Sequence, residues 1–297
     1  MPDALFLGLV THPATRFPES AGERGLVTSL ARELSAAGRT SQVLISDVDG
    51  YSSDLLVIDR DQIAGSIDAE LAIEGRWRRY LDPRIPAFAL SAFMAVRRAY
   101  RRRRFLPAAG VEALETSPGF RMVRRLVNIE LAHMSLIRAA AASGCAWTLI
   151  VEDDASCDDI PALAVALEGF MDAYDAAPQP LYVNVSRSFD QDKLRIGALL
   201  TEQGVWGPSP QGAIEVLTAV KPVTNTVCAV LYRTSFLVDL LAVLETIPLS
   251  PVIPIDWKLN TALLHLHDQR LVGSGDCWLL EPAPIVQRSM QITADAP

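Results

Sequence analysis

Residues 128–156 read NIELAHMSLIRAAAASGCAWTLIVEDDAS, and this stretch decides the fold. Asn128 is placed to cap a helix whose apolar residues recur at helical spacing, and Gly144 is placed to end it. Residues 147–151 then form a continuous apolar run of strand length. A helix that leads directly into a buried strand is the repeating unit of an α/β sheet. The strand closes on three consecutive acids at 152–154.

Acids at the end of a buried strand have two explanations. Carboxylates held a few ångströms apart raise one another's pKa, and a divalent cation between them removes that cost. Mg²⁺ and Mn²⁺ prefer carboxylate oxygens and often take one or two from the protein, which Glu152 and Asp154 could supply. The alternative is that the acids begin a helix, where negative side chains suit the positive end of the helix dipole. The triplet by itself leaves both explanations open.

The rest of the chain continues the alternation of strands and helices. Ser20 and Glu23 have the spacing of a capping box, which predicts a first helix that ends at Gly38. Residues 202–212, EQGVWGPSPQG, are predicted as a loop because they are rich in glycine and proline. Further strands are predicted at residues 4–10, 42–46, 55–59, 181–186 and 227–232, and a helix at 234–246. The pattern predicts one α/β domain over 1–297, with a basic helical insertion at 61–120.

Composition limits the class of protein. Half of the 297 residues are hydrophobic, which is enough for a large core. The N-terminus lacks the basic flank of a signal peptide, and no uncharged apolar run reaches the roughly 18 residues of a membrane span. The four cysteines have no CxxC spacing, which suits free thiols in a reducing compartment and argues against structural zinc. These features predict a cytoplasmic protein, either soluble or peripheral at the inner face of the membrane.

Charge is distributed unevenly along the chain. The net charge is −8, yet residues 76–104 contain ten arginines and one acid, so that segment carries +9 and the remainder −17. Such asymmetry is typical of a protein that binds a partner at its surface, and an anionic membrane is one candidate partner. The alternative is a solvated basic face packed on acidic parts of the same protein. A nucleic-acid partner is not expected, because the remainder of the chain is strongly acidic.

The segment from Asn128 to Ala155 resembles the signature of glycosyltransferase family 25, the lipooligosaccharide and collagen galactosyltransferases. In that signature a helix start containing Glu leads to LSH, a helix and a strand ending in EDDA; here LAH stands in place of LSH. THPATRFPES, SDVDG and PIDW are similar to further elements of the family. The resemblance implies a GT-A fold, a Rossmann-like nucleotide-sugar domain with a mostly parallel central sheet, and no family counterpart for the basic insertion.

The resemblance also implies roles for individual residues. Mn²⁺ or Mg²⁺ would be held by Glu152 and Asp154, and a late histidine, His265, could complete that site, with local pairing of this histidine as the alternative. Asp256 in PIDW would take the proton of the acceptor hydroxyl, although it could equally cap the helix that follows. The implied substrates are a nucleotide-sugar donor such as a UDP-hexose and a glycan or lipid-linked acceptor. Donor contacts are expected from Arg16, Asp47, Asp49 and Asp153.

Two other functions remain open on the sequence. VLISDVDGYSS resembles the first motif of haloacid dehalogenase phosphatases, with Asp47 as the nucleophile and Asp49 as the acid and base. Tyr51 stands where that family usually has Thr, and an Asp-Gly pair is also a common turn. The third reading is a non-enzymatic protein that binds a membrane surface or a polyanion. His133 shares a helical face with Glu130, which favours a buried, hydrogen-bonded role for this histidine.

Overall fold

The computed structural model of the protein contains a mixed eight-stranded sheet with helices on both faces. It describes residues 4–11, 15–46, 60–106, 118–187, 200–209, 212–219, 226–247, 254–273 and 275–289. The helices are α1 (Leu26–Ala36), α2 (Arg60–Leu81), α3 (Ala87–Phe105), α4 (Pro118–Ala141), α5 (Ile160–Tyr174), α6 (Phe236–Thr246) and α7 (Ile255–Asp268). The strands are β1 (Leu5–Val10), β2 (Ser41–Ser46), β3 (Trp147–Glu152), β4 (Ala155–Ser156), β5 (Tyr182–Asn184), β6 (Ser186–Arg187), β7 (Leu200–Ser209), β8 (Gly212–Ala219), β9 (Ala229–Arg233), β10 (Cys277–Glu281) and β11 (Ile285–Gln287).

The order of strands in the main sheet is β2-β1-β3-β9-β5-β10-β8-β7. Strands β1, β2 and β3 are parallel, β9 is antiparallel to both β3 and β5, and β10 is parallel to β5. Within the described sheet, β8 and β9 therefore run opposite to the other strands. A small second sheet joins β4, β11 and β6. The predicted α/β class, with mostly parallel strands, is confirmed.

Two cores lie on opposite faces of the main sheet because side chains alternate along each strand. On β1, Leu5, Leu7 and Leu9 face α1 and α5, whereas Phe6 and Val10 face α4, α6 and α7. On β3, the same alternation places Leu149 and Val151 in the core with Leu5, and Ile150 in the core with Phe6. The strand that ends in acids is thus buried on both faces, which explains its unbroken apolar run.

Three sequence predictions are wrong in detail. Ser20 does not cap α1; its hydroxyl donates to the carbonyl of Phe17 at 2.6 Å, and α1 begins at Leu26. Asn128 lies inside α4, which already begins at Pro118, because proline is well accommodated in a first helical turn. The predicted loop at 202–212 instead contributes to the paired strands β7 and β8, with bulges along β7. Glycine and proline are tolerated there because β7 is the outermost strand.

The basic insertion forms a helical hairpin of α2 and α3. Its apolar side chains Ile63, Ile67, Leu71 and Phe105 form a small core together with Val127 of α4. The hairpin is therefore attached to α4, the helix that precedes the acid-ended strand. None of the described helices has the length and apolar character that crossing a membrane requires.

Candidate functional site

The acids of β3 lie where three strand ends meet. Glu152 is in register with Val10 at the end of β1, and its backbone N–H donates to the carbonyl of Cys228 at 2.7 Å. Because β9 is antiparallel to β3, the amino end of β9 meets the carboxyl ends of β1 and β3. Ligands commonly bind at this edge of an open α/β sheet.

The helix-cap explanation for the acids is wrong. Asp153 and Asp154 form a turn that leads into the short strand β4, not into a helix. The next helix, α5, is capped by Asp159, whose carboxylate accepts from the backbone N–H of Ala162 at 2.9 Å. The acids at 152–154 therefore have no part in starting α5.

Asp154 is buried and held by three side chains that are distant in sequence. Its Oδ2 accepts hydrogen bonds from Gln287 Nε2 at 3.0 Å and from Ser289 Oγ at 2.5 Å. The Cys228 thiol lies 3.8 Å from its Oδ1. Pairing of β4 with β11 brings Gln287 and Ser289 next to Asp154. The carboxylate is consequently fixed in one orientation.

Glu152 is held by His133 from α4. Nε2 of His133 lies 3.1 Å from Oε1 of Glu152, and the histidine is buried. The predicted buried, hydrogen-bonded role of this histidine is confirmed. Sequence reasoning did not find its partner, because helix and strand are joined by a turn whose geometry the residue types leave open.

Three side chains at this strand end could hold a cation. Ligand atoms of Glu152, Asp154 and Cys228 all lie within 4.8 Å of one another. Burial, with the nearby charges of Glu152 and Asp154, raises the pKa of the Cys228 thiol well above its usual value. In the metal-free protein the thiol is therefore protonated and donates to Asp154, and Glu152 and Asp154 are the two carboxylates that could hold a cation. That number suits Mg²⁺ or Mn²⁺ with further places for phosphate and water.

Among the residues that the structure describes, His265 lies outside this group. It is exposed in the last turn of α7, where its Nε2 is 2.9 Å from Nε2 of Gln269. Nine residues of helix separate it from Asp256, a rise of about 13.5 Å. The structure therefore supports the alternative of local pairing, and the prediction of His265 as a metal ligand is wrong for this arrangement.

Asp256 lies in the first turn of α7, near Glu152 and His133. Burial raises the pKa of Asp256 to about 6; backbone N–H groups and His133 oppose the rise, and the charge of Glu152 adds to it. The helix begins at Ile255 after Pro254, so Asp256 lies within the helix and is not its N-cap. Its carboxyl therefore titrates close to neutral pH, as a general base must.

A buried ion pair joins the helices that present His133 and Asp256. Lys258 of α7 donates to Glu130 of α4, and their side chains are only 4 % and 1 % exposed. Glu130 and His133 are three residues apart and share one face of α4. The pair therefore fixes the start of α7 relative to the strand-end acids.

Replacing Lys258 by Met should destabilise the fold by about 3–5 kcal/mol, because Glu130 would stay buried without this cation. The matched variant Glu130→Met with Lys258→Met should recover a large part of that loss, since no charge then stays buried. Urea unfolding monitored by circular dichroism measures both. A double variant less stable than Lys258→Met would show that the pair is not the main interaction at this position.

Of the four residues predicted to contact the donor, the structure describes Asp153 and Arg16. Asp153 points toward the end of β1, where its Oδ2 accepts from Thr11 Oγ1 at 3.4 Å. Arg16 is exposed in the loop after β1; the next residue, Phe17, stacks under the guanidinium of Arg288 at 4.1 Å. Arg288 also donates to the carbonyl of Asp153 at 3.0 Å, which brings that loop to the site. Asp47 and Asp49 lie outside the described residues.

Comparison with known proteins adds no relative: no protein-family model matches the chain, and no curated protein matches it.

Proposed function

We propose that this protein is a metal-dependent glycosyltransferase of GT-A type. It would transfer a hexose from a nucleoside-diphosphate sugar, such as a UDP-hexose, to a hydroxyl of a glycan or glycolipid. The main support is the arrangement of Glu152, Asp154 and Asp256 at the carboxyl end of an inner strand. Two of these carboxylates are suited to a cation, and the third has a pKa of about 6.

The two strand-end carboxylates have separate supports. His133 orients Glu152, while Gln287 and Ser289 orient Asp154. Mn²⁺ or Mg²⁺ held by these acids would neutralise the donor diphosphate and act as a Lewis acid on the leaving group. Because the supporting bonds are present in the protein itself, the site is preorganised for the charge that develops on the diphosphate.

Asp256 has the properties of the base in an inverting transfer. Its carboxylate takes the proton of the acceptor hydroxyl, and the oxygen attacks the anomeric carbon on the side opposite the diphosphate. The bond between that carbon and the diphosphate oxygen breaks, and the nucleoside diphosphate leaves with both bonding electrons. A pKa of about 6 keeps the carboxylate ionised at neutral pH while leaving it basic enough to accept the proton.

A donor panel tests the proposal. The protein is incubated with UDP- and GDP-hexoses and simple glycan acceptors, in Mn²⁺ or in EDTA, and released nucleoside diphosphate and inorganic phosphate are measured separately. We expect release of nucleoside diphosphate in the Mn²⁺ reaction and none in the EDTA reaction. Phosphate release from phosphomonoesters, abolished by Asp47→Asn, would instead identify the phosphatase, and turnover of neither substrate would support the non-enzymatic alternative.

A further inference from the structure

Four arginines of helix α3 are paired with acids of α2. Arg97 donates to Glu74 at 3.0 Å, and Arg101 donates to Glu70, both across the hairpin to α2. Arg98 and Arg102 share Asp68 of the same helix. Four of the ten arginines in the cluster are thereby paired with acids of the hairpin, as the alternative of acidic packing within the same protein predicts. These four arginines cannot be the free positive surface that the sequence suggested.

A row of exposed residues along α3 is largely apolar. Phe88 is 79 % exposed and Val96 is 70 % exposed. At 3.6 residues per turn, positions 88, 92, 95, 99 and 103 lie along one line, which spans about 22 Å. We call this line, together with Val96, the outer stripe; its members are Phe88, Ala92, Ala95, Val96, Ala99 and Arg103. An ordinary surface helix has polar residues at such exposed positions.

Positive charge remains at both ends of the outer stripe. Arg84 lies in the turn before α3, and Arg103 and Arg104 lie in its last turn; all three are exposed. Within the described part of the chain, none of the three forms an ion pair with a carboxylate. The stripe is therefore apolar in the middle and cationic at each end.

We propose that the outer stripe docks on an anionic membrane surface. The apolar middle would enter the boundary between headgroups and acyl chains, while the terminal arginines bind lipid phosphates. A second copy of the chain is a less favourable partner for the outer stripe because of charge repulsion. An antiparallel pair would place Arg84 against Arg103 of the other copy, and a parallel pair would place like arginines together, so either arrangement brings positive charges together.

Docking by this stripe would place the bilayer against the hairpin that packs on the start of α7. The small core of the hairpin includes Trp257, which directly follows Asp256 at the start of α7. The membrane contact itself does not depend on the proposed function, because it is measured without turnover.

Vesicle flotation tests the docking surface. Wild-type protein should float with vesicles of phosphatidylcholine and phosphatidylserine at low salt, and remain at the bottom with pure phosphatidylcholine or at high salt. Arg103→Ser with Arg104→Ser should lower the vesicle partition coefficient about 30-fold, since two surface arginines are lost. The matched variant Arg24→Ser with Arg32→Ser removes the same charge from exposed positions elsewhere and should float like wild type.

The apolar half of the contact has its own pair of variants. Phe88→Ser with Val96→Ser should abolish flotation, whereas Val165→Ser with Val238→Ser, also exposed apolar positions, should not. Absence of wild-type flotation would overturn the proposal, as would wild-type flotation of the Phe88 and Val96 variant. Light scattering without vesicles tests for a second copy. A concentration-dependent dimer of the wild type that the Phe88 and Val96 variant alone fails to form would assign the stripe to a second copy and would also overturn the membrane proposal.

Discussion

Asp154→Asn should lose metal-dependent activity while the protein stays folded. Asn keeps the volume of the side chain but offers one neutral oxygen in place of a carboxylate, so a hard cation is bound much more weakly. Lewis-acid stabilisation of the leaving group is worth several kcal/mol, and its loss should lower turnover on the order of 10³-fold. Turnover is measured as released nucleoside diphosphate, and cation affinity from the free Mn²⁺ signal in electron paramagnetic resonance.

Asp158→Asn is the matched control for this variant. It makes the same chemical change four residues further along, at an exposed side chain. We expect wild-type turnover and Mn²⁺ affinity in the control. Equal turnover in Asp154→Asn and Asp158→Asn would remove Asp154 from the site.

Asp256→Asn should lower turnover by about 10²–10⁴-fold and leave donor affinity within about twofold, because a general base acts on the acceptor. In the wild type, turnover should rise with pH along an acidic limb whose midpoint lies at or below the metal-free Asp256 pKa of about 6, because a cation on Glu152 removes a charge that helps to raise it. Asp239→Asn, an exposed acid in the first turn of α6, is the matched control and should leave turnover unchanged. Loss of donor affinity in Asp256→Asn would move this residue to the donor side.

The same variant should be more stable than the wild type above pH 6. The folded protein raises the Asp256 pKa from 3.8 to about 6, so it favours the protonated carboxyl. That contribution to stability is fully present below the unfolded pKa and is lost as pH rises through the folded pKa. Asn stays neutral throughout, so its advantage in urea unfolding in EDTA should shrink as pH falls from 7 toward 4. An advantage independent of pH would show that the carboxyl does not titrate in this range.

The acids of the site could be predicted from sequence because their signal is local. An apolar run of strand length that ends at Glu152 places the carboxylates at a strand end, and a preceding helix makes that strand part of an α/β sheet. Asp256 was found only through the family resemblance. Its position beside Glu152 depends on how α7 packs, which neither periodicity nor composition determines.

The hydrogen-bond partners of the acids could not be predicted, because they come from strands whose direction the residue types do not determine. Cys228 precedes β9, and it reaches Asp154 only because β9 runs antiparallel to β3. Gln287 and Ser289 arrive through the pairing of β11 with β4, more than a hundred residues away in sequence. Unbroken apolar strands look alike in either direction.

The pairing of the arginine cluster with acids could not be predicted from the sequence either. Its net charge over residues 76–104 is +9, but the three acids that pair with five of its arginines, Asp68, Glu70 and Glu74, lie on α2 just before that window. Pairing across a helical hairpin depends on which faces meet, and that is a property of packing. Only the structure separates the paired arginines from Arg103 and Arg104.

Calorimetric titration of a UDP-hexose into the wild-type protein, once in Mn²⁺ and once in EDTA, tests the central claim most directly. It measures donor binding without requiring an acceptor or knowledge of the base. The account predicts saturable binding in Mn²⁺, with one donor per chain, and no measurable binding in EDTA. Equal affinity in the two buffers, or no binding of any nucleotide sugar in Mn²⁺, would contradict a metal-dependent donor site at Glu152 and Asp154.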